Sequence, residues 1–482
     1  NVTAHVDFDE RRGDFKAIDG ATLIDLPAIR YQCTMDEFSW FMDEERLDLF
    51  NTLIDPAAMT FQELADRDQS NFFSQHSDQD GLHFLSPRAT YKVDKGFVHC
   101  QGVKSIAVAD AEIKPDEGLI TVRRDAVMDP LYDAEIFAND VTRYHRLYNA
   151  NVQIKGRLDY EGAATKDYVD AIGKEWPIRL NELAVDTAKR TYGRGLVRAG
   201  EELFLSPEFA YRGRVRLEAG RKDLEFEGGA QMQFECDDYD NEWVEFVGVI
   251  NPQDVAIPID SLVTEMGKSH LGVGWTYNDG GINSMYPAFF TKKPVRSDRA
   301  FFVPKGFLRY DKRKDRYVVT NDAKLRNNML PGTLTQMSRG GCDVYQQGAT
   351  SFPLASNHLL SQTYIGDVST TSSGQMVLRG GMVVDMPMPD PILGHLAAFI
   401  GSSDRSSGAG YEVGNYEYML NELIGVDAAG EKVSLLERNT GLGYKKDVPK
   451  EVRHTFVFHG MEWRYDTYED PEPPEFLYKS KS

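Results

Sequence analysis

The sequence predicts a mainly β fold: an elongated β-solenoid of repeated modules with one small helical insert. Three observations carry that expectation. Aromatic residues are plentiful, 23 Tyr and 26 Phe, and such side chains suit pleated, half-buried surfaces. Short phrases recur in strand-like context: Ala-Asp-Ala-Glu-Ile at 109–113, Tyr-Asp-Ala-Glu-Ile at 132–136 and Tyr-Asn-Ala-Asn-Val at 148–152. Clear helix punctuation is confined to 390–425, where Asp390-Pro391 opens an apolar run closed by Gly401, an N-cap, a first-turn proline and a terminal glycine.

Each element follows from local pattern. On this reading the chain divides into a β-rich segment at 1–80, repeated β-modules at 81–389, the helical insert at 390–425, and a C-terminal β segment with a Pro-rich acidic tail at 426–482. Within 1–80, Thr22-Leu23-Ile24 and Ile29-Arg30-Tyr31 read as strands. Residues 35–54 fit two periods: Leu47, Phe50 and Leu53 have helical spacing, while Phe38, Trp40 and Met42 alternate as in a strand. Residues 166–192 are likewise open to helix or strand.

Further echoes support repetition. Phe-Leu-Ser-Pro occurs at 84–87 and at 204–207, with a Tyr four residues after each proline, Tyr91 and Tyr211. Gly-Gly pairs at 228, 340 and 380 each precede a strand-like run, as expected of tight corners needing positive φ. The small residues Ala111, Ala134 and Ala150 are expected to face inward at equivalent positions of successive rungs. In the insert, Tyr416, Met419, Leu420, Leu423 and Ile424 share one helical face, stopped by Gly425.

Composition bounds the function. With 75 acidic and 54 basic residues the formal charge is −21, a field that repels nucleic acid and anionic membrane surfaces. No run approaches the roughly 18 to 20 apolar residues of a transmembrane helix. Cys33, Cys100, Cys236 and Cys342 are far apart without a Cys-x-x-Cys pair. They read as buried free thiols, with one long-range disulfide as the alternative. A start at Asn1 and a polar end at Lys479-Ser480-Lys481-Ser482 suggest a processed chain or part of a larger one.

Familiar catalytic signatures are missing: no Walker loop, no Gly-x-Ser-x-Gly elbow and no His-Glu-x-x-His. Gly193-Arg194-Gly195 and Gly408-Ala409-Gly410 read as turns, and no cofactor is implied. His76, Asp78, Asp80 and His83 gather two imidazoles and two carboxylates within eight residues. Such donors are candidate ligands for a divalent metal, weighed against a plain solvated turn. The acidic loop 237–242 is a second candidate of that kind. Trp275, Tyr277, Tyr286 and Phe289 could line a ligand or sugar platform, weighed against core packing. Arg12-Gly13-Asp14 matches an integrin-type tripeptide, and Asn1-Val2-Thr3 a glycosylation acceptor.

Residues 89–103, Ala-Thr-Tyr-Lys-Val-Asp-Lys-Gly-Phe-Val-His-Cys-Gln-Gly-Val, resemble the repeat unit of OstA-like proteins of lipopolysaccharide transport. Those units stack into a β-taco or jelly-roll solenoid. The wording from Val108-Ala109-Asp110-Ala111 to Tyr144-His145-Arg146 also looks like that of large envelope proteins of Bacteroidota. The resemblance is best over residues 80–160. It implies an extracytoplasmic, periplasmic or outer-membrane-associated scaffold without enzyme activity. Its partners would be other envelope proteins or the remainder of the same polypeptide. This chain departs from the transport proteins in length, helical insert and acidity, and no family binding residue transfers. The competing expectation is a carbohydrate-active or carbohydrate-binding protein on a β-solenoid scaffold.

Overall fold

A computed structural model describes residues 2–259, 270–277, 285–351, 360–370, 376–402, 413–426, 454–465 and 479–480. It is mainly β with few helices. The chain forms two compact units. The first comprises Asn1–Phe204, Arg212–Glu227 and Val249–Gln253, and the second Leu205–Tyr211, Gly228–Gly248 and Asp254–Ser482. No division falls near residue 80, because strands on either side of it belong to the same sheets.

The first unit begins as a stack of hairpins. Val2–Asp7 with Arg12–Ala17, Glu37–Phe41 with Arg46–Phe50, and Arg88–Lys92 with Phe97–Gln101 lie side by side in one antiparallel sheet, which ends at Ile120–Arg123. Between them the chain visits a second sheet, through Thr22–Leu26 with Tyr31–Met35 and Phe72–Ser74 with His83–Phe84. The region with two competing periods, 35–54, is therefore a hairpin. Its alternation wins because Phe38 and Leu49, opposed in register, share the apolar face.

Buried polar groups fasten the crossings between these two sheets. Asn71 is fully buried, and its amide accepts from Ser86 N and donates to Ser86 O, both at 2.8 Å. Asp36 accepts from Thr52 N and Thr52 Oγ1 at 2.6 and 2.5 Å. Each group is paired, as burial of polar atoms requires. The first Phe-Leu-Ser-Pro lies at such a crossing, where Ser86 Oγ donates to Arg88 O at 2.8 Å. In the second unit, Ser206 Oγ likewise reaches two residues ahead, to Glu208 Oε2 at 2.7 Å. Tyr91 and Tyr211 are both buried.

The unit continues as a curled sheet of longer strands: Ile106–Val108, Ala111–Lys114, Leu131–Ala138, His145–Gly156, Asp159–Val169, Glu175–Val185 and Thr191–Val197, in that order. Residues 166–192 thus lie largely on strands. Strands Phe209–Glu218, Leu224–Met232 and Val244–Ile250 each run across the division between units. Gly193 and Gly195 lie inside a strand rather than in a turn, and a Cβ on Gly195 would press into the Arg179 carbonyl.

The echo at 132–136 and 148–152 has a physical cause. Asp133 and Asn149 have φ of 52° and 46°, and the register slips between Leu131 and Ala134 and again between Ala134 and Ile136. Both phrases encode a β-bulge, Tyr followed by an Asp or Asn that tolerates the left-handed region. Ala134 and Ala150, both fully buried, face each other between the bulges. Ala111 is buried but lies opposite Ala138, one phrase out of line. The three alanines therefore belong to an antiparallel meander, not to three equivalent rungs.

In the second unit the strands Gly306–Asp311, Arg316–Thr320, Leu334–Ser338, Val344–Ser351, Ser361–Thr370, Met376–Asp385 and Phe456–Tyr465 pair in sequence. Helices Asp390–Ser402 and Val413–Ile424 occupy the predicted insert. Met419 of the latter packs with Ile365, Val383 and Tyr418. The glycine pair at 380 is not a corner. Gly348, Gly366 and Gly380 lie opposite one another on successive strands, and a Cβ on Gly366 or Gly380 would collide with the neighbouring backbone.

Asp367 lies across from Gln347, whose buried Oε1 has no partner among the described residues. Burial lifts the Asp367 carboxyl from 3.8 to about 6, although Arg379 acts to lower it. The folded chain thus holds this proton more tightly than the unfolded chain. That contribution is full below the unfolded value and is lost as pH rises through about 6. Asp367→Asn is expected to match the parent near pH 4 and to be about 2 kcal/mol more stable at pH 8. Urea unfolding at both pH values checks this.

Candidate functional site

The three side-by-side hairpins of the first sheet share one construction. Their loops, 8–11, 42–45 and 93–96, each span four residues, and the last residue is left-handed: Arg11 (φ 49°), Glu45 (φ 45°) and Gly96 (φ 64°). Two further such loops exist: 27–30, ending on Arg30 (φ 51°) in the first unit, and 312–315, ending on Asp315 (φ 49°) in the second. Side by side, the first three loops are tied by one repeated bond. Met42 N donates to Arg11 O at 3.0 Å, and Val93 N donates to Glu45 O at 2.9 Å.

A second tie recurs three residues beyond each loop. Asp14 lies opposite Ser39 and accepts its hydroxyl at 2.6 Å. Asp48 lies opposite Thr90 and accepts its hydroxyl at 3.0 Å. His99 lies opposite Thr121, with Nδ1 and Oγ1 2.8 Å apart. The Ser39 hydroxyl, more than any other group, holds the Asp14 carboxyl below its ordinary value, with Arg12 adding to it. Arg12-Gly13-Asp14 is thus committed to a strand, not displayed on a loop.

The stack is closed on one side and open on the other. Toward Phe97–Gln101 the shared apolar face is fully covered, with Val98 and Cys100 at 0% exposure. Toward the first hairpin it emerges: Phe15 stacks on Phe38 only half-buried, and Val2 and Val6 reach 39% and 37%. Strand Val2–Asp7 pairs with Arg12–Ala17 alone among the described strands. It has no proline, lysine or bulge of the kind that usually guards an edge. Sequence reasoning missed this edge, since its alternation of Val2, Ala4 and Val6 is short.

The residues singled out from sequence lie elsewhere and are not brought together. His76 Nδ1 accepts from Asp78 N at 3.2 Å at the start of a short 3-10 turn. His83 meets Ser70 Oγ at 2.9 Å, and burial, then Arg157 and Arg67, lowers its pKa. Asp80 is an exposed left-handed turn residue. The buried member of this turn is Gln79, which accepts from Tyr31 OH at 3.1 Å and donates to Ala126 O at 2.7 Å. The loop is a structural fastening. Among the described residues, the metal-type donors gathered within 4.8 Å are Cys236, Asp238 and Cys342, and those cysteines are joined as a disulfide.

Trp275 and Phe289 are interior, at 1% and 0% exposure. Trp275 N donates to Gln346 Oε1 at 3.0 Å and Nε1 to Val344 O at 3.3 Å. Tyr286 lies opposite Thr276, so it faces away from Trp275 and Tyr277. Its hydroxyl donates to Asp298 Oδ2 at 2.8 Å, and burial, then Asp298, raises its pKa. The four candidate aromatics do not form one platform. A cavity of about 210 Å³ borders Lys324, but that ammonium is spent on Asn328 O and Leu330 O and on the Tyr418 ring.

The cysteines divide. Cys236 and Cys342, 106 residues apart, are bonded, while Cys33 and Cys100 are buried thiols. Burial lifts Cys33 to about 12 and holds Cys100 well above the ordinary thiol value, so neither is a nucleophile near neutrality.

Asp48→Ala removes the tie to Thr90 and an ion pair with Arg46, both partly buried. The expected loss is about 1 kcal/mol. Asp43→Ala, which breaks only an exposed pair with Arg11, is expected to cost less than about 0.5 kcal/mol. Urea unfolding followed by tryptophan fluorescence separates the two.

No protein-family model, curated protein or solved structure matches this chain.

Proposed function

We propose that this chain is a non-enzymatic structural or binding component of an assembly in a bacterial cell envelope, on the extracytoplasmic side and associated with the outer membrane. It works by strand pairing and surface contact. The observation that carries the reading is the open edge Val2–Asp7 on a stack of like hairpins. On this reading the stack is a short solenoid of β-taco-like modules, in keeping with the resemblance of residues 89–103 to the OstA-like repeat; that stretch covers most of the third hairpin. A stack of this kind leaves a strand edge at its end, and such an edge recruits another strand.

The disulfide supports the location. Disulfides persist in oxidising compartments and are rare in reducing ones. Cys236 and Cys342 close a long loop, and breaking such a loop typically costs about 2–4 kcal/mol. No helix among the described residues is long and apolar enough to cross a membrane.

Peptide mapping of the native protein without reductant is expected to recover the Cys236–Cys342 link from the envelope fraction. Cys342→Ser is expected to lower stability by about 2–4 kcal/mol. Recovery from the cytosolic fraction with both thiols reduced overturns the proposal.

A further inference from the structure

The cavity of about 210 Å³ in the second unit is lined mostly by polar side chains, whereas ligand pockets are usually apolar. Its floor is the sheet. Val318 and Gln336 lie opposite one another on neighbouring strands, and Leu334 is two residues along, on the same face. Val318 and Leu334 are buried, so this floor is apolar and fixed. The loop 312–315 brings Lys314 to one wall. The helix Asp322–Arg326 and the turn after it bring Arg326 and Asn328 to another. That second wall is set in advance. Asn321 Oδ1 accepts from Lys324 N at 2.8 Å at the helix start, and Lys324 Nζ donates to Asn328 O and Leu330 O at 3.0 and 2.8 Å beyond its end.

The charges in this cavity differ from those around it. The chain is strongly acidic, and nearby cations are spent on its carboxylates. Arg309 pairs with Asp254 and Asp322 at 2.8 and 2.7 Å, and Arg379 with Glu462 at 3.1 Å. Lys314 and Arg326 line the cavity and have no ion pair among the described residues. The Lys324 ammonium adds a third positive charge, although its donors are spent. Against these cations the lining holds one carboxylate, Asp311, whose Oδ1 accepts from Arg313 N at 3.0 Å. The half-buried Gln336 amide makes no hydrogen bond among the described residues, which leaves a donor and an acceptor for a ligand to satisfy.

We infer that this cavity binds one sugar ring that carries an anionic group, a carboxylate or a phosphate. The anion meets Lys314 and Arg326, and a guanidinium fork suits either oxyanion. Asp311 accepts only, so it repels a bare anion and takes ring hydroxyls. The Gln336 amide takes another, and the apolar face of the ring lies on Val318 and Leu334. The volume falls below the roughly 300–1,000 Å³ of pockets for drug-sized ligands, which suits a single ring. The chain's overall negative field is screened beyond about 8 Å at physiological ionic strength, so the cations at the cavity decide. Such binding needs neither the strand edge nor a particular compartment.

Isothermal titration calorimetry of the full chain with glucuronate and with glucose-6-phosphate tests this. Saturable binding of at least one is expected, with Kd on the order of 1 mM, and the tighter of the two identifies the anion. Glucose and inorganic phosphate are expected to bind at least about tenfold more weakly, since each keeps only part of the match. Arg326→Ala is expected to weaken the anionic sugar about tenfold and Lys314→Ala about threefold. Lys312→Ala, on the same loop but outside the lining, leaves binding unchanged. Lys314 and Arg326 are exposed, so unchanged melting temperatures are expected to separate lost binding from lost folding. The inference is overturned if neither anionic sugar saturates the protein by about 20 mM. It is equally overturned if glucose or inorganic phosphate binds as tightly as the anionic sugars, or if Lys312→Ala weakens binding as much as Arg326→Ala.

Discussion

The left-handed residue at the end of a four-residue loop is the constraint on which the first unit depends. Arg11, Glu45 and Gly96 each turn the chain so that the strand leaving one loop runs beside the strand entering the next. For Arg and Glu that conformation costs roughly 1–2 kcal/mol. It is offset by what it positions: a loop-to-loop backbone bond, and a carboxylate or imidazole opposite a hydroxyl at each step. The ties repeat from one hairpin to the next. The same repetition explains why burial deepens from Val2 toward Cys100. Each hairpin is covered by the next, and the first has none beyond it among the described residues.

Much of the fold was legible in the sequence, and the failures have physical causes. Aromatic richness and period-two alternation rightly indicated β-structure. Asp390-Pro391 rightly marked a helix, because cap and proline act locally. The bulges at 132–133 and 148–149 were visible as an echo, but an echo of a bulge looks like an echo of a rung. Only the partner strand reveals that Ala134 faces Ala150 while Ala111 faces Ala138. The hairpin loops were nearly invisible. Four of the five left-handed positions are Arg11, Arg30, Glu45 and Asp315 rather than Gly, so the usual turn signal was present only at Gly96.

The site residues show the same division between local and distant causes. His76, Asp78, Asp80 and His83 are close in sequence, yet the 3-10 turn gives each donor a separate task. Trp275 and Tyr286 are separated by pleat parity, which depends on a register that composition does not record. The disulfide joins residues 106 apart, a pairing that spacing alone leaves open.

Glycines answer different demands in the two units. In the first unit a glycine at 96 satisfies a torsion, and a side chain there would also meet Arg124. In the second, Gly366 and Gly380 have ordinary torsions and are small because two backbones approach closely. Reading every Gly-Gly as a corner therefore merges two different demands. The distinction bears on function: a tight glycine stripe fixes strand against strand within the second unit, whereas the first unit ends on a strand with ordinary torsions and an exposed edge. The stripe strands are paired on both sides, whereas Val2–Asp7 is paired on one side among the described residues.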